Sequence, residues 1–429
     1  MNKWNISRPF ITLGLLSLLA AACSSGADTN ESSATANLKE SPKDPVTLKF
    51  FINAAYLNND EVKMFLIDPI KAKYPHVTLE ILRPSKEITL ETLISTNSVP
   101  DLHIGWNGDL SYLQDIGIAE DLDPLIKSGR FDLSRLDSSA IEGMRNEASN
   151  GHLYAIPYAM NFQLMYYNKD LMDRAGVRYP TDGMLWDQVI ELSRQVSGKL
   201  GSPYKGLDIN YRDMAFQLSL PFIDAATKKA AVTSDEWKKV LDTANRALKS
   251  STEPDESANF LTKRNVAIWA HKNRNSQFKQ PSEQGLNWDV AQFPSFADKP
   301  GISSQIDVHV VYISPTSKHK EDALNVIKLL TSDEVQTAMS RNGKMPALNN
   351  KAIINQYGAD LAYLKDKNWK GVFQGKFGLP PRRVYEDAKI QAATDKAFAD
   401  YSKGAADLNT ALRAAAEQID QMMKEKQMK

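Results

Sequence analysis

The stretch Gly151 to Val177, GHLYAIPYAMNFQLMYYNKDLMDRAGV, restricts the fold more than any other part of the chain. Pro157 has no N–H and holds Ile156 extended, so the segment cannot be one continuous helix. Leu164 to Tyr167 has the apolar and aromatic content of a buried strand. Asn168 is a good helix N-cap, Asp170 suits a first turn and Gly176 a left-handed stop. A strand that crosses from one body to another and feeds a short helix satisfies all of these signals. Tyr158, Asn161 and Gln163 are left at the crossing.

Ahead of that segment the pattern alternates. Val46 to Ile52, Val77 to Leu82 and Asp101 to Trp106 read as strands. Asn58 to Tyr74 and Ile88 to Ser95 read as helices, the first kinked or interrupted at Asp68-Pro69. Such alternation implies a parallel sheet with crossover helices, and ligands of such sheets sit beyond the carboxyl ends of the strands. The rule places Asn53 to Asn58 and Trp106 to Asp109 at one edge. Beyond the crossing, Trp186 to Val196, Tyr211 to Leu218 and Glu236 to Leu248 read as helices of a second body. Val266 to Ala270, Trp288 to Phe293 and Val308 to Ser314 read as strands. Leu408 to Met423 carries Leu408, Leu412, Ala415, Ile419 and Met422 on one stripe of an end helix. No repeat of 20–50 residues is visible.

Two motifs carry a resemblance. G-x-L-Y-x-I-P-Y followed by LMYYNKDLMDRAGV, and YISPTSKHKEDALNVIKLLTSDEVQ followed by GKMPA, occur in order. Together they resemble the crossing segments of bacterial extracellular solute-binding proteins of family 1, the sugar receptors of ABC importers, of the maltose-binding type. The resemblance implies an α/β, two-lobed periplasmic-binding-protein-like fold of type II. Each lobe would be a mainly parallel sheet flanked by helices, with the ligand cleft between them. It divides the body into residues 45–155 with 310–345 and residues 156–309 with 346–429. It also implies capture of a carbohydrate, an oligosaccharide for preference, by hinge closure, and delivery to a membrane permease whose ATPase is another chain.

The amino-terminal residues imply export. Lys3 and Arg8 precede an apolar run from Phe10 to Ala22, too short for a permanent span but suited to a signal peptide. LAAAC followed by Ser-Ser-Gly resembles a bacterial lipobox, with Ala20 where Leu is commoner and Leu19 one place earlier. The only cysteine is Cys23, so no intrachain disulfide exists and lipidation there explains its position. Residues 1–22 would then be removed, and residues 23–44, rich in Ser, Asn and Ala, would form a tether. The expected location is the extracytoplasmic face of the cell membrane, lipid-anchored. The alternative is a plain secretory signal with a free thiol.

Composition excludes several classes. Lys and Arg number 52, as do Asp and Glu, and the two signs are interspersed, which argues against a nucleic-acid partner. No Walker loop, H-E-x-x-H or G-x-S-x-G motif occurs, and the six histidines are scattered. Asp307 and His309 share a strand face, either as a metal or catalytic pair or as a hydrogen-bonded pair near a hinge. The reading is a monomeric binding protein without cofactor, metal or catalytic residues. The rivals are a surface-anchored polysaccharide lyase or hydrolase, and the same fold holding a non-sugar solute.

A sugar offers apolar C–H faces and a hydroxyl rim, so its receptor needs flat rings beside forked donors and acceptors. Asn53 and Tyr56 follow the first strand, and Trp106 and Asn107 the third. Tyr158 and Asn161 lie at the first crossing, and Asp307 lies before the second. Trp269, His271 and Asn273 end the AIWAHKN strand. Arg382, with its neighbour Arg383, and Tyr385 follow Pro380-Pro381, where the resemblance implies a second-lobe aromatic. These are the expected ligand-binding residues. Trp186, Trp237, Trp288, Tyr166 and Tyr167 are expected in the core.

Overall fold

A computed structural model describes residues 44–148, 150–248, 256–382 and 388–427. The expected signal peptide, tether and lipidated Cys23 lie outside these residues, as do Arg383 and Tyr385. Twelve strands follow in order among them: β1 (Val46–Phe51), β2 (Val77–Leu82), β3 (Leu102–Trp106), β4 (Ala155–Met160), β5 (Gln163–Asn168), β6 (Lys205–Ile209), β7 (Val266–Lys272), β8 (Trp288–Gln292), β9 (Ile302–Gln305), β10 (Val308–Ile313), β11 (Met345–Pro346) and β12 (Lys376–Gly378).

They form two main sheets. The first runs β2-β1-β3-β10-β4-β11 and the second β6-β7-β5-β8, with β9 and β12 paired separately. The sheets are mixed. The strand–helix alternation yields parallel pairing of β1 with β2 and β3, and of β6 with β7. Strands that arrive from the other lobe run against their neighbours: β10 is antiparallel to β3 and β4, and β5 to β7 and β8. A strand entering from a crossing approaches from the opposite end, so it has no crossover helix to turn it round.

Local chemistry follows the sequence closely. Asn58 caps the first helix in a reciprocal box with Glu61. The helix is not broken at Pro69. A π turn at Lys63–Ile67 lies directly before the helix Asp68–Lys73, and this widened turn absorbs the missing N–H and the ring. The Asn168 side chain accepts from the Leu171 amide at 3.1 Å, and Gly176 ends that helix at φ 59°. Gly206 of β6 crosses the helix Trp186–Leu200 so closely that a Cβ would sit within 2.5 Å of the Ser193 backbone. Trp186, Trp237, Trp288, Tyr166 and Tyr167 are all buried. In the last helix, Leu408–Gln427, Met423 rather than Met422 is the buried methionine.

Only Asn161 and Phe162 separate β4 in the first sheet from β5 in the second, and Ile306 and Asp307 separate β9 from β10. The two crossings are tied together. The Asn161 amide donates to the Asp307 carbonyl at 2.7 Å, and its side-chain Nδ2 donates to Asp307 Oδ2 at 3.2 Å. Beside them the Phe162 ring packs edge-on against Tyr357 and Phe373, at 5.9 and 5.0 Å. No helix among the described residues is long and apolar enough to cross a membrane.

Candidate functional site

A cavity of about 490 Å³ opens between the two sheets, lined by the segments that follow β3, β6, β7 and β9. Trp106, Gly108, Asp109 and Tyr112 face it from one sheet; Asn210, Arg212, Asp213 and Phe216 face it from the other. His271, Lys272 and Arg274 close the end of β7, and Gln305 the end of β9. Ala215, Leu220, Phe222 and Gln391 complete the described wall. Four rings and a set of amide, carboxylate and cationic groups therefore share one space.

Each wall has a local cause. The Trp106 amide donates to Asp109 Oδ2 at 2.9 Å, which starts the turn leading into the helix Leu110–Asp115. The indole folds back over Gly108, where a Cβ would lie within 2.7 Å of three ring atoms. Asn210 caps the helix Tyr211–Gln217 by accepting from the Arg212 amide at 2.9 Å. The Arg212 guanidinium grips the Asp395 carboxylate, which also accepts from the Tyr211 hydroxyl at 2.5 Å. Lys272 Nζ stands 3.6 Å from Asp307 Oδ2 and 3.6 Å above the centre of the Phe216 ring. His271 Nε2 lies 3.6 Å from Asp213 Oδ2, with both groups buried. Burial, with the charges of Asp109 and Asp307, pushes the Tyr56 hydroxyl far above its ordinary value, so it is a neutral donor. Burial lowers His309 to about 4, against the pull of Asp307, so that ring is neutral near pH 7.

Of the residues expected to bind ligand, Trp106 and His271 line the cavity. Tyr56 stacks edge-on against His309 at 4.8 Å and feels the Asp109 carboxylate on the cavity wall. Asn161 and Asp307 are engaged with each other across the hinge. Others belong elsewhere. Trp269 is 1 % exposed, packed among Tyr166, Phe260 and Phe278. It sits earlier on β7 than the strand end that reaches the cavity. Tyr158 is fully buried beside His309. Asn107 is also buried, a clip that donates to Glu147 Oε1 at 2.7 Å and accepts from the Val308 amide at 2.9 Å. Asn53 is an exposed turn residue whose Oδ1 accepts from the Ala55 amide at 2.9 Å. Asn273 accepts from the Asn275 amide at 3.0 Å and lies off the cavity wall. Arg382 donates to the Asn146 carbonyl at 3.3 Å and lines a second cavity of about 430 Å³.

Sequence reasoning put Asp109 at the strand-end edge without naming it a site residue, and missed Tyr112, Arg212, Phe216, Phe222, Lys272, Arg274 and Gln305. The strand-end rule reaches Asn210 to Asp213 once KGLDI is recognised as β6, but its Lys, Gly and Asp hide it from an apolar-run search. Among the described residues, one set, Asp121, Asp123 and His152, brings three metal-ligand atoms within 4.8 Å of one another. Arg145 holds Asp123 at 2.6 and 2.9 Å, a cation placed where an ion would need neutralising charge.

Residues 55–337 match the model of the bacterial extracellular solute-binding protein family. A putative binding protein of Brucella abortus (strain 2308) is 25 % identical over 328 residues, 68 % of this chain and 74 % of that protein. The galactooligosaccharide-binding protein of Bacillus subtilis (strain 168) is 25 % identical over 294 residues, 64 % of this chain and 67 % of its own length. Among solved structures, a sugar transporter from Rhizobium etli in an open conformation superposes with a TM-score of 0.71 at 20 % identity, covering 87 % of this chain and 99 % of that one. An ABC substrate-binding protein from Listeria monocytogenes in complex with cycloalternan gives 0.70 at 19 % identity, covering 89 % and 100 %. With its two sheets, tied crossings and matched sequence, the chain belongs to the bacterial extracellular solute-binding protein family.

Proposed function

We propose that the protein captures an oligosaccharide between its lobes and delivers it to an ABC importer permease whose ATPase is a separate chain. One observation carries the reading: Trp106, Tyr112, Phe216 and Phe222 share a cavity with the polar groups of Asp109, Asn210, Arg212 and Gln305. Rings offer faces to sugar C–H surfaces, and forked amide, carboxylate and guanidinium groups suit vicinal hydroxyls. The galactooligosaccharide-binding relative supports the ligand class. Closure turns about Asn161–Phe162 and Ile306–Asp307. Only the closed form lets both walls touch the ligand, so the ligand's differential affinity shifts the population. The expected lobes, 45–155 with 310–345 and 156–309 with 346–429, shift at two bounds because β4 and β10 pair within the first sheet, so the lobes divide at Asn161–Phe162 and Ile306–Asp307. The protein acts as a monomer, held at the extracytoplasmic face of the membrane by a lipid on Cys23, and no bond of the ligand is made or broken.

A thermal-shift screen over mono- and oligosaccharides tests this. A ligand at a hundred times its Kd adds about 2.7 kcal/mol to the native state. Trp106→Ala removes most of the shift and leaves the ligand-free midpoint nearly unchanged. A panel without any shift refutes capture of a sugar, and product in the incubation mixture would make the protein an enzyme.

A further inference from the structure

The end of β7 stands beside both crossings. The Asn273 amide, one residue past the strand, donates to the Phe162 carbonyl at 2.9 Å. Gln163, at the start of β5, pairs in register with Lys272. Its side-chain amide donates to the Asp213 carbonyl at 2.8 Å, which ties the helix Tyr211–Gln217 to the first crossing. That helix carries Phe216 into the cavity. Strand end, helix and crossing thus form one hydrogen-bonded frame, held by backbone groups and the buried Gln163.

Within that frame the adjustable part is the Lys272 side chain, half-buried on the cavity wall. Its flexible four-carbon stem lets the ammonium travel while the backbone stays put. The ammonium is shared. It lies 3.6 Å from Asp307 Oδ2 and 3.6 Å above the centre of the Phe216 ring. An ammonium fully bonded to a carboxylate sits at about 2.7–2.9 Å, whereas a ring face attracts a cation out to about 6 Å. Phe216 therefore competes with Asp307 for the charge. Asp307 is buried between β9 and β10, and Asn161 bonds it from the other crossing at 2.7 and 3.2 Å. Its charge reaches the first lobe as well, where it acts on Tyr56 and His309. A buried carboxylate costs the fold unless a cation and hydrogen bonds meet it, so the position of the ammonium is felt at the crossing.

We propose that Lys272 couples the ring wall to the crossings: a sugar C–H face laid on Phe216 displaces the ammonium, which then closes on Asp307 and holds the second crossing in the closed arrangement. The proposal rests on closure about the crossings and names the group through which the ligand is sensed there. Two arms test it on the full chain. Without ligand, spin labels at the exposed positions Lys71→Cys and Lys403→Cys, in a Cys23→Ser background, report the distance between the lobes. Phe216→Leu, which removes the competing ring, shifts that distance distribution, and Lys272→Met abolishes the shift. With neutral tetramers of galactose and of glucose, calorimetry reads the Kd. Lys272→Met and Asp307→Asn, which keeps an acceptor for Asn161, each weaken binding about tenfold, the scale of one bond to a charged group, and the double variant loses no more than either alone. Lys272→Arg, which still reaches the carboxylate, regains most of the affinity. Additive losses in the double variant make Lys272 a plain ligand contact and overturn the coupling, as does a lobe distance indifferent to Phe216→Leu. Binding of neither tetramer, with the ligand-free response intact, refutes capture of these sugars and leaves the link from Phe216 through Lys272 to the crossing standing.

Discussion

His103 sits in the middle of β3, the strand that delivers Trp106 to the cleft, and it makes acidification destabilising. The ring is 3 % exposed, stacks on Tyr312 at 4.6 Å with planes 5° apart, and its Nε2 has no hydrogen-bond partner. Burial lowers its pKa from 6.5 to about 3. As pH falls below about 6.5, protons therefore bind the unfolded chain first, and stability is lost on acidification down towards the folded value. At pH 5 the unfolded ring is charged and the folded ring is not, a separation of about 1.5 pH units and so roughly 2 kcal/mol. His103→Phe keeps the stack and leaves no polar atom without a partner. Urea unfolding, followed by circular dichroism at about pH 7.5 and pH 5, should show wild type losing roughly 2 kcal/mol more than the variant. The difference between the two proteins cancels the other histidines and the carboxylates, which are common to both. An equal loss in both would refute a neutral, buried His103.

Three further substitutions separate wall, core and crossing. Gly108→Ala puts a methyl within 2.7 Å of the Trp106 ring, so the indole must retreat by roughly 1 Å; ligand affinity should fall about tenfold with the unliganded midpoint held, as calorimetry and melting would report. Trp269→Ala should cost about 3–5 kcal/mol of unfolding free energy, because the indole is a core filler; a near-neutral melting shift would return it to the cleft. Gly206→Ala forces β6 off the Ser193 backbone and should cost more than about 1–3 kcal/mol, the usual scale of overpacking, measured by urea unfolding; an unchanged midpoint would contradict the close approach.

The aromatic residues show where reading by sequence stops. Trp106 and Trp269 both lie near strand ends in the sequence, and both were reasonable cleft residues. Trp106 is the last residue of β3 and projects beyond the sheet, whereas Trp269 lies three residues before the end of β7, beneath Tyr166 and Phe278. Asn107 is adjacent to Trp106, yet its amide is turned inward to join β3 to β10, a pairing between residues 201 apart. Lys272 and Arg274 were invisible as site residues because nothing local says which charged groups a distant lobe will face.

What the amino-acid order determined by itself is everything that depends on near neighbours. That includes the alternation that makes β1, β2 and β3 parallel, the Asn168 cap and Gly176 stop, the Pro157 extension, and the two crossing motifs that identify the family. These rest on steric and hydrogen-bonding rules spanning a few residues, so they survive without knowledge of the rest of the chain. The tertiary structure alone decided which rings became walls and which became core, and which charged groups face one another across the cleft. Those outcomes depend on how deep each strand runs before its lobe meets the other, and burial and charge compensation are set by residues hundreds of positions away.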